Sequence, residues 1–279
     1  MFRRNEERKV IMSRTPAVAN MFYPGEPGEL KRQLDSFIDP ISQPKKVIAA
    51  ISPHAGYVYS GGVAGAVYSQ ISIPETAIIL GPNHRGIGAP VAIQASGSWD
   101  MPFGPVQINR ELAGQMLDLL GNKAKDDPQA HAMEHSIEVQ IPFLQALKAD
   151  INIVPICVSH KSYESCDEIG KVLAKVVREY EKKILLVAST DMTHYEPRKT
   201  AQAKDQLAIE RILALDPKGL YNTVSQHGIS MCGVIPTTMV LTACKALGTT
   251  KAELVQYATS GDITGDYTQV VAYAGFIIY

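Results

Sequence analysis

The sequence predicts an α/β fold, a single domain with a central mixed, mostly parallel sheet flanked by helices. Four short apolar runs, rich in β-branched residues and nearly continuous, are typical of strands buried on both faces of a parallel sheet. Helical patterns separate most of these runs, and each run leads to a histidine. The runs and their histidines are 47–51 before His54, 77–80 before His84, 151–158 before His160, and 184–188 before His194.

The remaining elements follow from spacing and from helix-start and helix-stop residues. Short strands at 91–95 and 106–108 flank residues 99–105, whose prolines suit a loop or an edge. Pro142 should kink or shorten the helix that contains it. Strands at 253–259 and 270–278 follow one another without a helix, so we expect them to be antiparallel and the sheet to be mixed. Helices are predicted at 28–37, 61–71, 110–120, 136–147, 166–180, 201–213, from Pro217 onward, and at 236–247.

Length and charge limit the classes of function. A chain of 279 residues can form one large α/β domain with a sizeable core, and we place it at 13–279 after a charged, solvated tail at 1–12. The formal net charge of −1 gives no reason to expect nucleic acid or an anionic membrane as partner. There is no signal-peptide pattern and no stretch near the roughly 18 apolar residues that span a bilayer. We therefore expect a cytoplasmic protein with reduced thiols.

Two of the strand-end histidines occupy matching positions. His54 follows a proline in a turn after the first buried run, and His84 follows Gly81-Pro82-Asn83 after the second. Ligands of parallel sheets bind beyond the carboxyl ends of the strands, so these imidazoles should meet at one edge. Such a pair is half of a metal site. Asn83 and Arg85 could orient a ligand beside it.

Asp191 and His194 lie three residues apart in the turn after the fourth run. That spacing allows the carboxylate to accept from one imidazole nitrogen and fix the tautomer, as a general base requires. The alternative is an Asx-type turn that caps the strand and leaves His194 exposed. The polar surroundings of His160 predict a surface residue without a role in the site.

Cys232 has two interpretations. By its surroundings alone it is a small buried hydrophobe, but a thiol near a helix start also suits metal ligation. Residues 131–135 match H-x-x-E-H, yet the prolines on either side leave no long helix, which argues against a metalloprotease. Glu134 and His135 are still expected to line the pocket, since a loop enters a helix there.

Six segments, in order and covering nearly the whole chain from about Ser13, resemble the Memo family. They are Asn20-Met-Phe-Tyr-Pro24, Pro53-His-Ala-Gly-Tyr-Val-Tyr-Ser-Gly61, Gly81-Pro-Asn-His84, Glu134-His-Ser-Ile-Glu-Val-Gln-Ile-Pro-Phe-Leu-Gln145, Ser189-Thr-Asp-Met-Thr-His-Tyr195 and Met231-Cys-Gly233. The family's fold is similar to the catalytic subunit of the class III extradiol dioxygenases, non-haem iron enzymes that open catechol rings with O2.

The resemblance implies that His54, His84 and Cys232 are the ligands of one iron or copper ion per chain. It places Asp191 and His194 at the pocket wall, where the dioxygenases keep their catalytic base. It also implies a radical-SAM protein and an AMMECR1-type domain as partners. Outer hydrogen bonds are expected from Tyr57, Tyr59 and Tyr195.

The ligand set departs from that of the dioxygenases, because a thiolate takes the place of their carboxylate. Thiolate is softer, favours copper(I), iron or zinc, and oxidises readily beside O2. We expect a metal-dependent oxidoreductase with a non-haem iron dioxygenase-like pocket. Two alternatives stay open: a protein- or peptide-binding signalling module with a vestigial pocket, and a copper-handling or redox protein.

Overall fold

A computed structural model describes residues 13–279, and the predicted tail at 1–12 lies outside the described residues. The strands are β1 Ser13–Arg14, β2 Ala49–Ser52, β3 Thr76–Pro82, β4 Val91–Ile93, β5 Ser98–Trp99, β6 Val106–Ile108, β7 Lys125–Asp126, β8 Asn152–Val158, β9 Ile184–Ser189, β10 His194–Glu196, β11 Ala252–Thr259 and β12 Val270–Ile278. The helices are α1 Pro27–Asp35, α2 Tyr57–Ser69, α3 Arg110–Leu120, α4 Ile141–Leu147, α5 Tyr163–Glu179, α6 Arg198–Leu213, α7 Pro217–Gln226, α8 Val234–Ala246 and α9 Gly261–Thr264.

One sheet organises the chain, with strands in the order β1-β5-β6-β8-β3-β9-β2-β12-β10. Its centre, from β8 through β3 and β9 to β2, is parallel, and β12 joins β2 in the antiparallel sense. Helices α5 and α8 pack on each other, and α8 lies on β3 and β9, whereas α2 contacts β2, β11 and β12. Apolar residues of the central strands are fully buried, which confirms the predicted mixed α/β fold.

The structure corrects several expected element bounds. Residues 99–105 were expected to form a loop or an edge, and Trp99 belongs to the two-residue strand β5, which pairs with β6 and β1. Helix α2 begins at Tyr57, four residues before the predicted start, with Gly56 as its N-cap. The predicted helix at 136–147 is shortened: a 3₁₀ turn at Glu138–Gln140 precedes α4, whose first turn contains Pro142. Proline is tolerated there because a first-turn N–H has no partner within the helix.

A buried ion pair ties the start of the described chain to the segment before α4. Nη1 of Arg14 lies 2.7 Å from Oε2 of Glu138, and both side chains are almost fully buried. Glu138 also accepts from the hydroxyl of Tyr23 and from the amides of Ala17 and Val18. The guanidinium of Arg14 donates to the carbonyls of residues 131 and 134 and lies over the ring of Trp99. Every charge of the pair thus has hydrogen-bond partners, as burial requires.

Within residues 13–279, none of the helices is both long and apolar enough to cross a membrane.

We predict that Glu138→Ala lowers the free energy of unfolding by about 3–5 kcal/mol, because it leaves the Arg14 guanidinium buried without its counter-charge. Urea unfolding followed by circular dichroism measures this loss. The control is Lys31→Ala, which breaks the exposed pair with Asp35 and should cost less than about 1 kcal/mol. Equal losses in the two variants would contradict a special role for the buried pair.

Candidate metal site

The register between β2 and β9 sets two site residues side by side. Ser52 pairs with Ser189 in this parallel ladder, and the amide of Thr190 donates to the carbonyl of Ser52. His54 and Asp191 each lie two residues beyond the paired positions, so the chain leaves the sheet with them adjacent. The amide of His54 donates to Oδ1 of Asp191 at 2.8 Å.

The hydrogen bonds of His54 determine which ring nitrogen carries its proton. Oγ of Ser189 lies 2.6 Å from the carbonyl of Ser136, a separation that requires a proton between two oxygens, so the hydroxyl donates there. The same oxygen lies 2.9 Å from Nδ1 of His54 and 2.8 Å from Nε2 of Gln140, and it accepts from both. Nδ1 of His54 is therefore protonated, and Nε2 has a free lone pair.

His84 also carries its proton on Nδ1, and here the acceptor is a carboxylate. Its Nδ1 lies 2.9 Å from Oε1 of Glu134, and its amide donates to Oε2 of the same residue. Burial disfavours ionisation of Glu134, but hydrogen bonds from His84 and from the amide of Ser136 outweigh it and lower its pKa to about 2. An ionised carboxylate only accepts, so Nδ1 of His84 donates and Nε2 is free.

Cys232 precedes α8, and a glycine allows its close approach. A Cβ on Gly233, the N-cap of α8, would lie 2.4 Å from the carbonyl oxygen of Ser189 and from Cβ of Thr190. Only glycine therefore permits the start of α8 to contact the end of β9. Sγ of Cys232 lies 3.2 Å from Nε2 of His54 and accepts from the amide of Asp191 at 3.2 Å.

His54, His84 and Cys232 each offer one ligand atom, and the three atoms lie within 4.8 Å of one another. Burial, and then the neighbouring imidazoles, lower the pKa of His54 well below its usual value, so its ring is neutral. Burial raises the pKa of the Cys232 thiol. Two neutral imidazoles with free lone pairs beside a thiol fit a metal ion that takes nitrogen and sulfur ligands.

The two residues expected to act as an acid–base pair are arranged differently from the prediction. Nδ1 of His194 lies 3.0 Å from the carbonyl of Ser230, and its amide donates to the Ser230 hydroxyl. The tautomer of His194 is thus fixed by a backbone carbonyl and not by Asp191, whose Oδ1 is occupied by His54. Asp191 is buried, and burial raises its pKa to about 6. The two side chains still lie near Cys232, within the same 4.8 Å limit between ligand atoms.

The predicted pocket residues divide into four groups. Tyr57 is buried among Tyr23, Phe37 and Phe143, and its hydroxyl donates to the carbonyl of Val139, so it supports the packing of α2. That placement corrects the expectation of an outer hydrogen bond. Asn83 closes its own loop, with contacts to the amide of residue 86 and the carbonyl of residue 87.

Tyr59 and Tyr195 are exposed, the latter with a φ of 57°. His135 belongs to the site itself. Its ring stacks on His84 with centroids 4.7 Å apart, and burial lowers its pKa to about 4. His160 is exposed, as its polar surroundings predict.

Residues 131–135 do not form a metalloprotease helix. A 3₁₀ turn at Pro128–His131 ends before Glu134, and His131 is buried against Trp99.

Sequence reasoning missed the residues that orient the imidazoles. Ser189 accepts from His54, Gln140 donates to Ser189, and the carbonyl of Ser230 holds His194. One signal was present in the sequence: Glu138 and Gln140 are polar residues that interrupt an otherwise apolar stretch. Buried polar side chains need partners, so such an interruption indicates an organised interior network.

We predict that Ser189→Ala weakens metal affinity about 10- to 100-fold, because Nδ1 of His54 loses its acceptor and the ring its fixed orientation. Titration of the purified protein with iron(II) or zinc(II) measures the dissociation constant. The matched control is Ser69→Ala, which removes a buried hydroxyl that donates to its own helix at Gly65. Unchanged affinity in Ser189→Ala would show that this hydrogen bond does not support ligation.

Comparisons with known proteins identify the family of the chain. The model of the family described as Memo-like protein matches residues 14–277. A MEMO1 family protein of Methanopyrus kandleri is 42% identical over 280 residues, covering 95% of this chain and 99% of the relative. A MEMO1 family protein of Aquifex aeolicus is 42% identical over 268 residues, covering 95% and 98%.

A solved structure of an uncharacterized protein from Escherichia coli K12 has the same fold, with a TM-score of 0.55, 18% identity, and coverage of 82% of this chain and 99% of that one. The match to the family model over nearly the whole chain, together with the identity to these relatives, shows that the chain belongs to the Memo family.

Proposed function

We propose that the protein is a metal-dependent oxidoreductase whose metal ion is held by His54, His84 and Cys232. The observation that carries this proposal is the state of the two imidazoles. Each donates its Nδ1 proton to a fixed acceptor, the hydroxyl of Ser189 or the carboxylate of Glu134, and keeps Nε2 free. Such outer partners are what orient histidine ligands in metal sites.

Three protein ligands leave coordination positions open for a substrate, as in catalytic rather than structural sites. A metal ion bound there would polarise a substrate oxygen as a Lewis acid and would exchange electrons with it if the ion is redox-active. The thiolate and two imidazoles suit iron or copper, and a copper-handling or redox role is the variant of this proposal in which no organic substrate is turned over.

His194 is the proposed general base. Its Nδ1 proton is donated to the carbonyl of Ser230, so Nε2 can accept a proton from a substrate hydroxyl. The ring is only partly buried, which leaves it accessible to a substrate at the pocket wall. Asp191 accepts from the amide of His54 and so positions its backbone. It also places a carboxylate close to the proposed metal ligands His54 and Cys232.

We predict that His54→Ala, His84→Ala and Cys232→Ser each lose the metal, whereas His194→Ala retains it, because His194 is assigned to proton transfer. Metal content after anaerobic purification, measured by mass spectrometry, should be near one ion per wild-type chain. His160→Ala and Cys166→Ser are matched controls outside the site and should retain it. Metal retained in all three ligand variants would reject the site.

We predict that metal binding releases about one proton and that affinity rises roughly tenfold per pH unit near neutrality. The thiol of Cys232 is protonated at pH 7 because burial raises its pKa, and it must lose that proton to bind metal. His54 is already neutral and releases none. Calorimetry in two buffers of different ionisation enthalpy counts the protons. His194→Ala, which keeps the thiol and the metal, is the control and should release the same proton, and a wild type that releases none would contradict the assignment.

A non-enzymatic binding module is the second candidate, and exposed apolar side chains around the site favour it. Val58 and Tyr59 follow His54 in the chain, and Met133 precedes Glu134. Exposed apolar side chains, where they form a contiguous patch, mark interaction surfaces. The exposed apolar residues on the segments that carry or flank the site are Met21, Val58, Tyr59, Ile87, Met133 and Tyr195.

Two variants separate the candidates. Loss of oxygen consumption with catechol-type substrates in metal-loaded His194→Ala supports the enzyme. If the protein is a binding module, a partner should bind His194→Ala normally. The same partner should no longer bind the double variant Met133→Asp with Tyr195→Ser. A radical-SAM protein and an AMMECR1-type domain are the proposed partners to test. Leu119→Ser, on α3, is the control for a general loss of surface hydrophobicity.

A further inference from the structure

We propose a second ligand site at the edge of the sheet opposite the candidate metal site, a cleft that binds a small organic anion with an apolar body. The cleft has a volume of about 770 Å³. It lies between the residues that precede β2, β3 and β9 and the end of α5. Sites for small molecules in proteins commonly enclose about 300–1,000 Å³, so its size suits such a ligand.

The wall of the cleft is largely apolar. Val47, Ile48, Ile73, Val177 and Leu247 line it, and each is only partly buried although it packs against the core. An apolar ligand body would remove the remaining surface of these side chains from water, which is favourable in proportion to the area covered.

Positive charge exceeds negative charge in the lining. The cations are Lys46, Arg178, Lys182 and Lys183, and the carboxylates are Glu75 and Glu181. Lys182 is paired with Glu75 at 2.9 Å. Among the residues that the structure describes, Lys46 and Lys183 have no carboxylate oxygen within 4.0 Å of the ammonium nitrogen.

Helix ends account for only part of this charge. Helices α5 and α8 both end beside the cleft, and the carbonyl end of a helix attracts cations. Arg178 is the cation at the end of α8, since its Nη2 donates to the carbonyl of Ala246 at 2.8 Å. Lys46 and Lys183 instead precede strands β2 and β9, so their charge is left for a ligand.

The cleft is separate from the candidate metal site. Strand β9 begins with Ile184 at the cleft and ends at Ser189 beside the metal ligands, and six extended residues span about 20 Å. A ligand in the cleft would therefore not contact the metal, and the inference does not depend on the proposed function.

The probe for the test is anilinonaphthalene sulfonate, a fluorescent anion with an apolar body. We expect saturable binding to the wild type and about tenfold weaker binding to Lys46→Glu combined with Lys183→Glu, because two attractive charges become repulsive. Ile73→Asp should weaken binding through the apolar wall. The matched control, Lys199→Glu combined with Lys218→Glu, changes the net charge equally on other surfaces and should bind as the wild type does.

The dye could also bind the apolar residues around the metal site, so Met133→Asp combined with Tyr195→Ser is titrated in parallel. Unchanged affinity in that variant and reduced affinity in the cleft variants support the cleft. The proposal is overturned if the dye does not bind, if cleft and control variants bind it equally, or if only the metal-site variant loses it. Thermal melts verify that each variant is folded.

Discussion

The parallel pairing of β2 with β9 is the constraint on which the site depends. Because Ser52 and Ser189 are paired, residues two positions later leave the sheet together, and His54 lies against Asp191. Ser189 is still within the strand, so the ladder itself fixes the hydroxyl that receives the His54 proton. A register shift of one residue would turn this side chain to the other face of the sheet and leave the ring without its acceptor.

A single segment connects the two imidazoles. Glu134 accepts from His84, the carbonyl of Ser136 accepts from Ser189, and Gln140 donates to Ser189. Glu138, in the same segment, is held by Arg14 from the start of the described chain. The energy of that buried pair therefore supports the orientation of both histidines, although neither charged group touches them. Networks of this kind act as a unit, because each buried polar group depends on the next.

Sequence patterns were sufficient for the fold and for the two histidines that meet at the edge of the sheet, whereas Cys232 was identified only through the family resemblance. Continuous apolar runs identified the central strands, and the shared topology of parallel strands brought His54 and His84 together. The short strands β1, β5, β7 and β10 were not recognised, although β4 and β6, of three residues each, were predicted at 91–95 and 106–108. Two or three residues carry too little periodicity for a dependable prediction. The partner of His194 was also missed. Three residues of separation suggested Asp191, but a carbonyl 36 residues later in the chain holds the ring, a contact that only tertiary packing creates.

The thiol of Cys232 gives the site a character that the fold alone does not determine. Gly233 lets α8 start against β9. Sγ of Cys232 therefore lies beside Nε2 of His54 and accepts a hydrogen bond from the amide of Asp191. An N–H donated to sulfur favours the thiolate and so opposes the burial that raises the thiol pKa. A bound cation would act in the same direction, on Cys232 and on the buried Asp191 alike. Metal binding and the charge state of the pocket are therefore coupled, and the soft sulfur ligand restricts the metals that can take part.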